Sequence, residues 1–483
     1  MQGFPRSPAN TLLLLQRRRL MSSLKIYRAK WILPIHGSPI ENGEIVIEGE
    51  RILETRTATS ETSAVRDFGE AVLMPGLVNV HTHLDYTVMR GLLEDLPFFT
   101  WIRELTLLKT RLEGEDWLAS ATWGAAEAVA GGVTTIGDCC DSGAAFYGAK
   151  ALGLSGTIYQ EVFGIDGSQS IETILGELKG KVEALRLASA GTRLGIGISP
   201  HAPYTVRPAL FRALASYADA ENLRVCIHAA ESPAEGELFY AGTGVIAEMF
   251  QRRGIEWEAP VKSVVAYLDS LGILSSRTLL VHGVQVSASD RFLTRERDLS
   301  WAHCPKSNAK LGAGVAPLGI LQGRQHPIVE TEDAYIPKVG LGSDSVASNN
   351  CMDLFEEMRF GVLMQRANWR KSDSPGAKEF LEMATLGGAR ALGLEAEIGT
   401  LERGKLANVC VVRLNELHSA PSFDPYSSLV YASRASDVIF TLIGGEVKFD
   451  ATLSDNPLER FPGLDLTPTK AALLRAADKL RGI

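Results

Sequence analysis

At 483 residues, 45% hydrophobic and 22% charged, the chain is long enough for one large core with a smaller unit beside it. A net charge of −8 excludes a nucleic-acid partner bound through a basic surface, because the only dense basic run is RRR at 17–19. Six cysteines lack the spacing of a disulfide scaffold and point to a reducing, cytoplasmic setting, and no stretch is apolar for long enough to span a membrane.

Residues 1–23 hold a four-leucine run followed by arginines, too short for a signal sequence, and are expected to be a disordered extension. Residues 24–70, with EIVIEGERILE, read as strands separated by turns. From 71 to 395 short β-branched runs alternate with Ala- and Leu-rich helical stretches. The strands are expected at 71–80, 132–138, 155–164, 193–199, 224–230, 278–283, 299–304 and 338–344. Eight βα units suggest a (β/α)8 TIM barrel in the α/β class, with a doubly wound parallel sheet as the alternative. Residues 396–483 return to strand-like text in ANVCVVRL and IFTLIGGEVKFD, then to a helical tail, KAALLRAADKL. The two flanks together predict a small composite β-sandwich domain built from both chain ends, with a surface helix after it.

Barrel enzymes carry their chemistry at the C-terminal ends of the strands, so the polar residues there are informative. The segment VNVHTHLD ends the first strand with His81 and His83, which alternate onto one side of a β-strand and so can face one point. His201 follows strand 4, His228 lies on strand 5 with Glu231 three residues on, His282 ends strand 6, His303 ends strand 7 and Asp344 ends strand 8. Imidazole nitrogens with one carboxylate suit Zn²⁺, so His81, His83, His228 and Asp344 form a ligand set with a position left for water. Glu231 is read as a proton shuttle, His282 as a hydrogen-bonding partner of the water or the developing oxyanion, and Asp344 as a further proton acceptor. His303 is read as structural, Trp101 as core or a substrate-binding pocket wall rather than a cofactor platform, and Cys139 and Cys140 as packing residues.

The motifs PGLVNVHTHLD, SPHAPYT, HAAES, LLVHG, HCPKSNAKLGAGVAPL, LGSDSVASNN and EIGTLERGKLANVCVV resemble the amidohydrolase superfamily. Within it the chain is similar to the cytosine deaminase-like, single-metal branch, which includes S-adenosylhomocysteine and methylthioadenosine deaminases, guanine deaminase and the chlorotriazine hydrolases. The resemblance implies a distorted TIM barrel with a composite β domain. It also implies one Zn²⁺ or Fe²⁺ on His81, His83, His228 and Asp344, with Glu231 and His282 in catalysis. Branches with two metals use a lysine at the end of strand 4, and ISPHAPYT has none.

The same resemblance implies that His201, with Ser307 and Asn308 of KSNAKLGAGVAPL, contacts the substrate. Two features of the S-adenosylhomocysteine enzymes are missing: Thr110 stands where a ribose-binding acid is expected, and strand 3 lacks an arginine. PFFTWIREL, EVFG and HAAESPAE look closer to the aminodeoxyfutalosine deaminases. The expected activity is hydrolytic deamination of an N-heterocyclic small molecule, foremost the 6-amino group of an adenosine-type nucleoside. Triazine or guanine-type hydrolysis and a non-catalytic scaffold are the alternatives, and a homodimer is the expected assembly.

Overall fold

The computed structural model describes residues 24–59, 65–324 and 335–482; the expected extension at 1–23 lies outside these. Eight parallel strands form one sheet: β1 (Leu77–Thr82), β2 (Val133–Cys140), β3 (Ser155–Val162), β4 (Leu194–Pro200), β5 (Val225–Ala229), β6 (Thr278–His282), β7 (Ser300–His303) and β8 (Lys338–Leu341). Each pairs with its neighbour in sequence, and helices such as Gly114–Ala130, Ile171–Ala188 and Pro208–Ala220 make the crossovers. This is the TIM barrel that the βα alternation predicts. The barrel is distorted at its seam, where β8 meets β1 only through an isolated bridge from Thr82 to Asp344. There the Asp344 N–H donates to the His81 carbonyl at 2.9 Å, so closure itself sets Asp344 beside His81.

The strands are apolar because side chains on both faces are buried. Val78, Val80, Tyr159, Leu279, Val281 and Ala302 fill the interior, which Ala389, Leu392, Ile398 and Leu406 help to complete. Small residues let the layers meet: a Cβ at Gly340 would come within 2.8 Å of the Gly388 Cα.

Residues 71–80 form two strands rather than the single one expected. Ala71–Pro75 belongs to a second sheet, and β1 starts at Leu77. Gly76 lies between them, where any side chain would collide with that of Thr134. The second sheet draws on both flanks of the barrel: Ala71–Pro75 runs antiparallel to Val409–Arg413 and parallel to Leu24–Ile32. Its own core includes Ile32, Ile45, Leu73, Val411 and Phe440. The last helix, Thr467–Arg481, packs on the barrel helix Gly114–Ala130, where the Lys479 Nζ sits 2.7 Å from Asp116. No helix among the described residues is long and apolar enough to cross a membrane.

Candidate metal centre and active site

His81 and His83 leave β1 on the same side, and their rings stand 4.9 Å apart at 89°. The His228 ring from β5 completes a trio in which one nitrogen from each residue lies within 4.8 Å of the others. Asp344 closes the group, its Oδ1 3.4 Å from His81 Nε2 and 3.6 Å from His83 Nε2. Ligands around one tetrahedral ion with bonds of about 2.0–2.1 Å are separated by about 3.4 Å. The spacing therefore suits a cation at the centre. Among the described residues His81 Nε2 is buried without a hydrogen-bond partner, the state of a nitrogen whose partner is a metal.

Hydrogen bonds behind this group orient it. His228 Nδ1–H donates to the His201 carbonyl at 2.9 Å, leaving Nε2 with its lone pair toward the centre. Asp344 Oδ2 accepts from Ser307 Oγ at 2.6 Å and from Ser348 Oγ at 3.0 Å, which turns Oδ1 toward the histidines. Burial and the neighbouring His81 push His83 down to about 3, while burial and His201 hold His228 well below the usual range. Both are neutral, as ligands must be. Burial would also lower His81, but the Asp344 carboxylate outweighs it and raises His81 to about 10, so a cation at the centre competes with a proton there.

Glu231 lies on the loop after β5. Its carboxylate is buried 3.6 Å from His282 Nε2, and burial raises its pKa against the opposing pull of His282. A carboxyl in such a place can hold a proton and give it up, as an acid–base group requires. Asn308 Oδ1 accepts the Nδ1–H of His282 at 2.9 Å and so frees Nε2 to face Glu231 and the centre. The loop is held from below, since the Glu231 N–H donates to Glu235 Oε2 at 2.7 Å. Ala230, His282 and Asp344 all have positive φ (53°, 72° and 58°), a backbone state that costs of order 1–3 kcal/mol and clusters at working sites.

A cavity of about 1210 Å³ opens above these residues. His83, His201, His228, Glu231, His282 and Asp344 line its floor, and Phe98, Trp101, Leu105 and Met249 form an apolar wall. The strand-end residues named from sequence, His303 excepted, thus converge on one site. His201 lies against His228 and Phe163, each ring 4.7 Å away, with Nδ1 3.0 Å from Thr205 Oγ1. Ser307 and Asn308 are the correction: they do not line the cavity but stand behind Asp344 and His282. His303 stays outside, its ring 6.4 Å from Phe380, and Cys139 packs below the site with Sγ 3.5 Å from that of Cys226. Sequence reasoning missed Lys109, Asp141, Glu161 and Glu235. For Asp141 and Glu161 the available signal was a carboxylate at or just past the end of an apolar strand.

The chain belongs to the amidohydrolase family, whose model matches residues 72–448. It is 30% identical over 429 residues to a 5′-deoxyadenosine deaminase of Methanothermobacter thermautotrophicus, covering 87% of this chain and 91% of that protein. It is 32% identical over 423 residues to a 5-methylthioadenosine/S-adenosylhomocysteine deaminase of Moorella thermoacetica, covering 86% and 92%. Among solved structures, a zinc-bound adenosine deaminase from Xanthomonas campestris superposes with a TM-score of 0.79 at 26% identity, covering 95% of this chain and 98% of that one. A zinc-bound atrazine chlorohydrolase from Arthrobacter aurescens shares the fold, with a TM-score of 0.76 at 20% identity and coverage of 94% and 99%.

Proposed function

We propose that the protein is a zinc-dependent hydrolytic deaminase that converts an exocyclic amino group of an adenosine-type nucleoside to a carbonyl and releases ammonia. The observation that carries this reading is the buried Glu231–His282 pair set against three histidines and one aspartate on the floor of a single cavity. The deaminase names of relatives aligned over most of the chain support it.

His81, His83, His228 and Asp344 would hold the ion, which supplies the acidity that makes water a nucleophile near neutral pH. Asp344 and His282 orient the attacking water and accept hydrogen bonds from it, and Asp344 takes up one of its protons. Glu231 delivers a proton to the ring nitrogen beside the amino-bearing carbon, which draws electrons away from that carbon as oxygen adds. The proton taken from water passes from Asp344 to the amino group, the carbon–nitrogen bond breaks and ammonia leaves, and the adduct's remaining hydroxyl proton returns to Glu231 as the carbonyl forms.

The test is ammonia release from adenosine, 5′-deoxyadenosine, methylthioadenosine, S-adenosylhomocysteine, aminodeoxyfutalosine, guanine and cytosine, with wild-type protein and Glu231→Gln. At least one adenine nucleoside should react far faster than the bases, and the variant should keep its metal and lose about 10²-fold or more in kcat. Near-normal turnover by Glu231→Gln would remove Glu231 from the proton transfer.

A further inference from the structure

The cavity is larger than a purine ring needs, and its floor is occupied by the groups that act on the ring. Recognition of the rest of the molecule falls to the walls. Three carboxylates on that surface are already committed: Asp344 to the histidines, Glu231 to His282, and Asp141 to Lys109, whose Nζ lies 2.8 Å away and also donates to Tyr86 Oη at 2.6 Å. Thr110, where an acid was expected for the sugar, also lines the cavity, but its hydroxyl donates back to the Leu107 carbonyl at 2.8 Å.

Glu161 is different. It is the penultimate residue of β3, is 6% exposed, and faces the same cavity. Its Oε1 is fully enclosed with no hydrogen-bond partner among the described residues. An oxygen of its carboxyl lies within 4.8 Å of a ring nitrogen of His201 and one of His228, so the group overlooks the centre from the strand 3 side. A buried, unsatisfied carboxyl is expensive unless a ligand completes it. The chemistry that completes it is a pair of neighbouring hydroxyls, each donating to one oxygen.

Resting on the deaminase reading above, we infer that Glu161 accepts the vicinal hydroxyls of the substrate's sugar and so selects ribonucleosides over deoxynucleosides and free bases. The acid that binds the sugar stands on strand 3 of the barrel, in place of the helix position that Thr110 occupies. Glu161 is a specificity residue in contact with the substrate's sugar and takes no part in the proton transfers.

Steady-state kinetics with adenosine, 2′-deoxyadenosine and 3′-deoxyadenosine, on wild type, Glu161→Ala and Glu161→Gln, test this, with the melting temperature of each variant as a check on folding. In the wild type the KM for adenosine should be at least tenfold below that for either deoxynucleoside. Glu161→Ala should raise the adenosine KM tenfold or more with a much smaller change in kcat, bringing the three substrates within about twofold of one another. Glu161→Gln, which keeps one acceptor oxygen and the side-chain volume, should fall between. Discrimination that survives in a folded Glu161→Ala protein would overturn the assignment while leaving the deaminase reading intact. A metal-loaded wild type inert toward all nucleosides would contradict the deaminase reading and this assignment with it.

Discussion

Asn308 carries no charge and does not line the cavity, yet its Oδ1 decides which nitrogen of His282 holds the proton. With Nδ1–H committed to Asn308, the Nε2 lone pair faces the centre; without it the tautomer is free and the ring can turn. Asn308→Ala should therefore lower kcat by about 10- to 100-fold, the range seen when an outer hydrogen bond to a site residue is lost. Metal content should stay near one ion per chain, because His282 is not in the ligand set. Measured metal stoichiometry beside kcat separates this from Ser307→Ala, which acts on Asp344. That His81, His83, His228, Asp344 and Glu231 would meet at one place was legible in the sequence because histidine is scarce and the strand ends are predictable. The roles of Ser307 and Asn308 were not, since a hydroxyl and an amide near a site look alike whether they face substrate or a catalytic side chain.

The turn from β5 into the helix Pro233–Ala241 shows how a short element fixes a functional group. Ser232 caps that helix by accepting from the Glu235 N–H, and Pro233 occupies its first turn, where no N–H is needed. Glu235, one turn in, reaches back to hold the Glu231 N–H. Burial raises the Glu235 carboxyl to about 8, so it is neutral in the folded protein over a range where an unfolded chain, with a pKa of about 4.3, has lost the proton. The folded state then binds more protons than the unfolded one between about pH 4.3 and 8, and this group's contribution to stability falls as pH rises through that window. Glu235→Gln keeps the acceptor and removes the titration. Its stability relative to wild type, read from denaturant midpoints, should rise from pH 5 to pH 8.5 by at least about 1.4 kcal/mol, the value of one pKa unit. A difference that stays flat across that range would contradict the account. Such tertiary effects leave no trace in local sequence. The strands did, because burial on both faces makes most of them short runs rich in apolar and β-branched residues, whereas the close approach of Thr134 to Gly76, 58 residues away, could not be read locally.

At the scale of the whole molecule, the seam that closes the barrel is also where the residues of the candidate metal centre meet. His81 and His83 arrive on β1, Asp344 on the residues after β8, and the two meet at the seam through the Thr82–Asp344 bridge. A cation bound there ties the first and last strands together, so the site contributes to stability as well as to chemistry, by an amount set by its affinity. The second sheet, drawn from both flanks of the barrel, sits where it joins the start of β1 through Gly76. That both flanks belong to one unit was visible in their strand-like composition, and the seam was not, since it rests on a single bridge between left-handed and extended backbone. The most direct test of the whole account is ammonia release from the best adenine nucleoside by chelated protein, before and after one equivalent of Zn²⁺ is restored, with the melting temperature followed in parallel. The account predicts that chelation abolishes release and lowers the melting temperature, and that one equivalent of zinc restores both. Full activity in protein shown to be free of metal would contradict it.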